Sequence, residues 1–149
     1  MSVAAALLDW LKDFLREVEK EKQSRGVLDF QDLLLKARDL VRDHLEVRAY
    51  FQRRFRYLLV DEFQDTDPLQ AELIFFLSES EPRAARWFEV QPASGKLFLV
   101  GDPKQSIYRF RRADIEIYKQ AKQVLERSGQ GLVIRQNFRS SGSVIYGAR

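Results

Sequence analysis

Two short apolar runs, each ending abruptly at polar residues, constrain the fold of this chain more than any other feature. Residues 57–60 (Tyr-Leu-Leu-Val) end at Asp61 and Glu62, and residues 97–100 (Leu-Phe-Leu-Val) end at Gly101. Runs of this length and composition are typical of buried parallel strands. Helical patterns precede, separate and follow them, so the sequence predicts an α/β layered domain with a mostly parallel sheet.

The spacing of apolar residues and the positions of capping residues predict the remaining elements. Asp29 can cap one helix, and Asp67 can open another in a capping box with Gln70. The predicted helices cover residues 4–22, the stretch after Asp29, a basic stretch ending near Phe55, the stretch after Pro68, and residues 113–127 and 140–149. Two further short strands are predicted, at residues 87–90 and 132–134.

The composition excludes several classes of site. The chain has no cysteine, which excludes disulfides, iron–sulfur clusters and cysteine-based zinc sites. No apolar run approaches the roughly 20 residues that span a bilayer, and the N-terminus lacks the pattern of a secretory signal. We therefore expect a cytoplasmic protein without a membrane partner.

Charge is distributed unevenly along the chain. Residues 103–149 contain ten Lys or Arg and three Asp or Glu, whereas residues 1–102 contain fifteen and nineteen. The basic part is either a phosphate-facing surface or an ordinary solvated face.

The first motif is the apolar strand that leads directly into Asp61 and Glu62, which is the Walker B arrangement. Mg²⁺ prefers hard oxygen ligands and keeps several waters, so one carboxylate could hold it beside phosphates. The next carboxylate could orient or deprotonate an attacking water. Two acids could equally end a strand in a polar turn. However, residues 61–67 contain four acids, whose mutual repulsion a cation would relieve.

The second motif comprises residues 101–111. Gln105 offers an amide suited to contacting a phosphate or its attacking water. Tyr108 and Phe110 alternate with arginines that include Arg111, a pattern that holds single-stranded nucleic acid by stacking and phosphate contact. The alternative is that both aromatic rings lie in the core and the arginines lie in solvent.

The third motif follows the last predicted strand, at residues 136–140 (Gln-Asn-Phe-Arg-Ser). Arg139 could meet the charge that develops on a transferred phosphoryl group, as an arginine finger does. The alternative is an ordinary surface arginine.

Together, the motifs resemble those of the UvrD/Rep/RecB helicases, members of helicase superfamily one. Residues 61–65 resemble motif II, residues 101–111 motif III and residues 137–140 motif IV. Residues 28–34 are similar to the segment that re-enters the first motor domain. Lys104 and residues 113–118 look more like the AddA/RecB helicase–nuclease branch.

This resemblance implies roles in ATP hydrolysis. Asp61 would hold Mg²⁺, with Glu62 beside it as a second metal contact and as the general base. Gln105 would contact the γ-phosphate and couple the nucleotide state to the grip on DNA. Arg139 would also reach the γ-phosphate.

The resemblance also implies a surface for single-stranded DNA. Tyr108 and Phe110 would stack on bases, and Arg111 would support the contact. Arg112 stands where the family usually has glycine, so its side chain either crowds the turn or adds a phosphate contact.

In domain terms, the resemblance implies a partial RecA-like domain of the P-loop NTPase type, with three layers, at residues 26–149. Residues 1–25 form a helical segment, for which one interpretation is the end of an inserted helical subdomain. The sequence contains no Gly-x-x-x-x-Gly-Lys-Ser/Thr loop, so the Walker A strand and loop are missing.

We therefore interpret the chain as an internal segment of an ATP-dependent DNA helicase, inactive by itself. The parent enzyme would translocate on single-stranded DNA and unwind duplex in recombination and repair. Its partners would be the Walker A segment, the second motor domain and a nuclease domain or subunit. The alternative is a non-hydrolysing nucleic-acid-binding or protein-interaction module derived from a helicase core.

Overall fold

The structure, a computed structural model, describes residues 2–105, 115–127 and 129–133. Within these ranges the helices and strands follow one another in the order α1 (Val3–Arg25), α2 (Phe30–Asp43), α3 (Leu45–Arg54), β1 (Leu58–Val60), α4 (Pro68–Ser78), β2 (Leu97–Leu99) and α5 (Ile115–Glu126). Short 3₁₀ turns occur at Phe63–Asp65, Trp87–Glu89 and Pro103–Gln105. The α/β class predicted from the sequence is therefore confirmed, and the structure is rich in helix.

Local capping residues define where the helices begin and end. Gly26 closes α1 in the left-handed conformation, at φ 64°, which glycine adopts without steric cost. Asp29 and Asp32 form a capping box at the start of α2. The Lys22 ammonium donates to both carboxylates at 2.8 Å and lowers the pKa of each. The same cation thus connects the end of α1 to the start of α2.

The predicted opening of α4 is also confirmed. Asp67 accepts a hydrogen bond from the Gln70 main-chain N–H at 2.9 Å, and the Gln70 side chain accepts one from the Asp67 N–H at 3.2 Å. Pro68 occupies the first helical position, where its missing N–H costs no hydrogen bond.

The two strands pair in parallel, with Leu59 opposite Phe98. On one face Val60, Leu97 and Leu99 pack against the core. On the other face Leu59 is 75% exposed and Phe98 is 58% exposed. The parallel pairing was predicted correctly, whereas the predicted burial of the strands holds on one face only. Helices cover only one side of this sheet in the described part of the chain.

The segment predicted as a strand at residues 87–90 instead contains a 3₁₀ turn, Trp87–Glu89. Trp87 and Val90 are both buried, and the Trp87 ring lies 5.0 Å from that of Phe75. Residues three apart eclipse one another in a 3₁₀ turn. The turn therefore directs both large side chains into the core, which an extended strand would not do.

The last predicted strand is also wrong where it can be compared with the structure. Leu132 and Val133 are exposed and belong to no strand. Ile134 and the helix predicted at residues 140–149 lie outside the described residues.

A buried ion pair holds the helical layer together. Arg48 has no exposed side-chain surface and donates to Glu79 Oε2 at 2.8 Å, while Glu79 is 5% exposed. The guanidinium also lies 4.4 Å from the centroid of the Phe76 ring. Its remaining hydrogen bonds go to main-chain carbonyls, those of Val41, Arg42 and Ala84. Arg48 thereby connects α2, α3, the end of α4 and the loop after it.

Helix α1 packs least against the rest, since none of its residues is buried. Trp10 stacks on Phe14 with ring centroids 5.8 Å apart, and both are exposed. None of the helices among the residues described combines the length and apolar character needed to cross a bilayer. The assignment of residues 1–25 to a separate subdomain stays a prediction.

We predict that Arg48→Met will lower the free energy of unfolding by about 3–5 kcal/mol, because the Glu79 carboxylate would stay buried without its cation. Chemical denaturation of the chain measures this. Arg16→Met is the matched control, since Arg16 pairs with Asp13 and both side chains are 71% exposed; such pairs add little. Equal effects of the two substitutions would show that the buried pair has no special role.

Candidate functional site

The site lies where the two parallel strands end. The Val100 main-chain N–H donates to Val60 O at 2.8 Å, and the Phe63 N–H donates to Val100 O at 2.9 Å. These bonds continue the strand pairing beyond β1 and β2. Asp61 and Glu62 therefore lie beside the segment that begins at Gly101, along one edge of the sheet. In open α/β sheets, ligands bind at this carboxyl edge.

Glu62 adopts the left-handed backbone conformation, with φ 51° and ψ 40°. Among the described residues, no other amino acid except glycine has a positive φ. This conformation costs about 1–2 kcal/mol for an L-residue. It is held on both sides, since the Glu62 N–H donates to Asp61 Oδ1 at 2.9 Å and Glu62 O accepts from the Asp65 N–H at 2.9 Å. Such strain tends to occur at functional sites.

The side-chain amide of Gln64 connects the two motifs. It is only 4% exposed. Its Nε2 donates to Glu62 Oε2 at 2.5 Å, and its Oε1 accepts from the Asp102 main-chain N–H at 3.0 Å. The opposite amide orientation would set oxygen against carboxylate and N–H against N–H, so these partners fix the orientation.

Gly101 makes room for this amide. A Cβ at Gly101 would lie 2.8 Å from Gln64 Oε1 and 3.2 Å from Tyr118 Cε2. The Tyr118 hydroxyl donates to Gly101 O at 3.2 Å, and its ring lies 6.3 Å from that of Phe63. Position 101 requires glycine because the Gln64 and Tyr118 side chains lie close to its backbone, and not because of an unusual φ.

The second motif is held by Asp102. Its carboxylate accepts from the Lys104 main-chain N–H and from Gln105 Nε2, both at 3.0 Å. These two bonds lower the pKa of Asp102, the first of them most. Gln105 is exposed, and its hydrogen bond to the Asp102 carboxylate holds it beside that residue. A chain of hydrogen-bonded residues runs from Glu62 through Gln64 and Asp102 to Gln105.

An open cavity of about 510 Å³ adjoins the acidic residues, with Asp61, Glu62, Asp65 and Thr66 among its lining. Asp65 Oδ1 is buried without a hydrogen-bond partner, alone in this respect among the described side chains. No group of three or more metal-binding side chains occurs in the ranges that the structure covers. Mg²⁺ at a nucleotide needs only one or two carboxylates, with waters and phosphates completing its shell. The residues present therefore fit Mg²⁺.

Of the site residues predicted from the sequence, the structure brings Asp61, Glu62 and Gln105 to the same edge of the sheet. The other five lie outside the described residues, and their predicted roles stay predictions: Tyr108, Phe110, Arg111, Arg112 and Arg139. Gln64, Gly101 and Tyr118 were not among the site residues predicted from the sequence. An amide side chain within a short acidic turn was a signal for Gln64. The sequence does not show, however, that Asp102 is one of its hydrogen-bond partners.

Comparison with known proteins agrees with the motifs. A family model described as the UvrD/REP helicase N-terminal domain matches residues 4–126. An ATP-dependent helicase/nuclease subunit of Listeria welshimeri is 37% identical over 142 residues, which cover 91% of this chain and 11% of that protein. The corresponding protein of Listeria monocytogenes is 38% identical over 146 residues, with 93% of this chain and 11% of that protein covered. The exonuclease/helicase subunit RexA of Streptococcus pneumoniae is 30% identical over 146 residues, with 96% of this chain and 11% of that protein covered.

The class that these findings define is a helicase segment of the α/β type. The chain belongs to the UvrD/Rep helicase N-terminal domain family. The predicted resemblance to UvrD/Rep/RecB helicases, in their AddA/RecB-like branch, is thereby confirmed. The chain spans 11% of the length of these relatives.

We predict that Gly101→Ala will lower the free energy of unfolding by about 1–3 kcal/mol, because the added methyl group would displace the Gln64 amide and leave buried polar groups unpaired. Chemical denaturation measures the change. Gly131→Ala serves as the control, since a Cβ there meets nothing closer than 4.0 Å. A Gly101→Ala variant as stable as the control would contradict the close packing described here.

Proposed function

We propose that this chain is part of the ATP-hydrolysing motor of a DNA helicase related to the ATP-dependent helicase/nucleases. In the parent enzyme, hydrolysis is coupled to translocation on single-stranded DNA and to duplex unwinding in recombination and repair. One observation carries the proposal: the acidic pair after β1 is hydrogen-bonded, through Gln64 and Asp102, to the loop of Gln105. The acidic pair, proposed to act on the nucleotide, and the residues from Gly101 to Gln105 thus share one edge.

The RecA-like, three-layer architecture of residues 26–149 belongs to this proposal. The exposed sheet face at Leu59 and Phe98 supports it, because strands of a parallel sheet are ordinarily covered on both faces. Further strands, the Walker A loop and a second motor domain would come from the remainder of the parent chain. A nuclease, either as a domain or as a separate protein, is a further proposed partner, and the cytoplasm is the proposed location.

Asp61, which lines the cavity, would hold Mg²⁺, and the ion would neutralise charge on the ATP phosphates when bound. Glu62 would accept the proton of the attacking water. Gln105 would contact the γ-phosphate from the neighbouring loop. Arg139 would oppose the developing phosphoryl charge. Asp61, Glu62 and Gln105 each follow one of the two paired strands.

Single-stranded DNA would lie on the loop after Gln105. Tyr108 and Phe110 would stack on bases, while Arg111 and Arg112 would contact phosphates. The position of Gln105 beside Asp102 would connect this contact to the acidic pair.

The second candidate is a non-hydrolysing binding module. The missing Walker A sequence favours it for the 149-residue chain by itself. Retention of both Asp61 and Glu62 favours hydrolysis in the parent, since a pure binding module has no chemical need for that pair.

The first test is Glu62→Gln in the parent enzyme. We expect at least about a 100-fold loss of ATP hydrolysis, the scale that a general base contributes, with ATP binding largely retained. Single-turnover hydrolysis and equilibrium nucleotide binding are the measurements.

Glu81→Gln is the control for this test, because Glu81 is an exposed acid that pairs with Arg83 and is absent from the lining of the acidic cavity. Normal hydrolysis by the Glu62→Gln enzyme would exclude Glu62 as the base. The 149-residue chain alone should show no metal-dependent ATP turnover, and turnover would reject the view that it needs the rest of a motor.

The second test concerns DNA. Phe110→Ala should weaken binding of single-stranded DNA by about 1–3 kcal/mol if the ring stacks on a base, as measured by fluorescence anisotropy with a labelled oligonucleotide. Phe30→Ala is the matched control, since Phe30 is an exposed ring at the start of α2. Unchanged affinity would favour the alternative in which Phe110 packs in the core.

A further inference from the structure

We infer that Gln64 is a positioning residue for the proposed hydrolysis, fixing the Glu62 carboxylate by anchoring it to the main chain at Asp102. The inference rests on the proposed role of Glu62 as the base. It deepens that role, because it explains how a flexible acidic side chain is kept in one place on a strained turn.

The donor half of the amide acts on Glu62. Nε2 of Gln64 donates to Glu62 Oε2 at 2.5 Å, a short bond to a group that is charged when it acts as a base. Hydrogen bonds to carboxylates are about twice as strong as neutral ones. The bond occupies one carboxylate oxygen and leaves the other for a water molecule. Gln64 therefore restricts the orientation of Glu62 without removing its capacity to accept a proton.

The acceptor half of the amide acts as the anchor. Oε1 accepts from the Asp102 main-chain N–H at 3.0 Å, so the amide is attached to backbone and not to another mobile side chain. Gly101 has no side chain that would displace Oε1. The amide is also nearly fully buried, which strengthens both bonds by excluding competing water.

A buried amide in an ordinary structural role also needs partners for both its N–H and its oxygen. A buried amide could be satisfied by any carbonyl and N–H pair nearby. Here the donor is directed to the one side chain to which the proposed function assigns proton transfer. The Glu62 backbone is also held in the left-handed conformation, so the side chain starts from a fixed direction. Backbone and side chain of Glu62 are thus both constrained.

The experiment compares Gln64→Glu and Gln64→Met in the parent enzyme. The glutamate keeps the shape and can still accept from the Asp102 N–H, but it has no proton to donate to Glu62. The methionine keeps similar volume and makes neither bond. We expect each to lower the single-turnover rate of ATP hydrolysis by about 10- to 100-fold, a part of what a positioned base contributes, while the affinity for ATP changes less than about twofold.

The split between rate and affinity distinguishes positioning from mere stability. A purely structural residue would lower the amount of folded enzyme, while the rate per folded molecule and the affinity for ATP would stay at their wild-type values. A positioning residue lowers the single-turnover rate per folded molecule and leaves the affinity for ATP nearly unchanged.

A double variant tests the pairing if Gln64→Glu fails to fold. If Gln64→Glu does not fold, the double exchange of Glu62→Gln with Gln64→Glu, which restores one amide and one carboxylate to the pair, should recover the wild-type unfolding temperature. Failure to recover it would overturn the pairing. The double variant should remain inactive in hydrolysis.

The Glu62 variant tests the proposed function, and the Gln64 variants test the positioning role. An active Glu62→Gln enzyme would remove the proposed base, whatever Gln64 does. An inactive Glu62→Gln enzyme together with wild-type single-turnover rates per folded molecule for both Gln64 variants would overturn the inference and leave the proposed function standing.

Discussion

The register of two parallel strands is the constraint on which the site depends. Val60 is paired with Leu99, so both strands end at the same level and the residues after them must share one edge. One tight turn and one loop then occupy a small space. The glycine at position 101 and the buried amide of Gln64 are the consequence, because a larger residue in the loop would collide with that amide. Proximity of the two motifs thus follows from strand pairing, and hydrogen bonds fix their relative positions.

A second constraint lies behind the sheet. The first strand is preceded by α3 and followed, after the acidic turn, by α4, and the buried pair of Arg48 with Glu79 joins these two helices. Replacing such a pair by apolar residues often costs nothing in stability, whereas removing one partner is expensive. The guanidinium also donates to three main-chain carbonyls around it. These directed bonds connect the helices on either side of the acidic strand at one point.

Features set by neighbours in sequence were predictable, and features set by distant partners were not. The Asp29 cap and the capping box of Asp67 with Gln70 require only residues three positions apart, and both were predicted correctly. The role of Gln64 depends on Asp102, 38 residues away, so no local pattern indicates it. Exposure of the sheet face depends on whether helices cover that face. The composition of a strand does not indicate whether they do. The 3₁₀ turn at Trp87–Glu89 was mistaken for a strand because four residues are too few to distinguish an alternation from a spacing of three.

The energetics of the acidic turn argue that the site is formed before any nucleotide binds. The left-handed backbone at Glu62 costs about 1–2 kcal/mol, and a hydrogen bond to a charged group contributes about 1.5–3 kcal/mol. The bond from Gln64 is therefore large enough to offset the strain without help from a ligand. Two main-chain hydrogen bonds add to it on either side of the strained residue. Because this turn needs no external contact to hold its shape, binding energy from a nucleotide need not be spent on arranging the acidic pair.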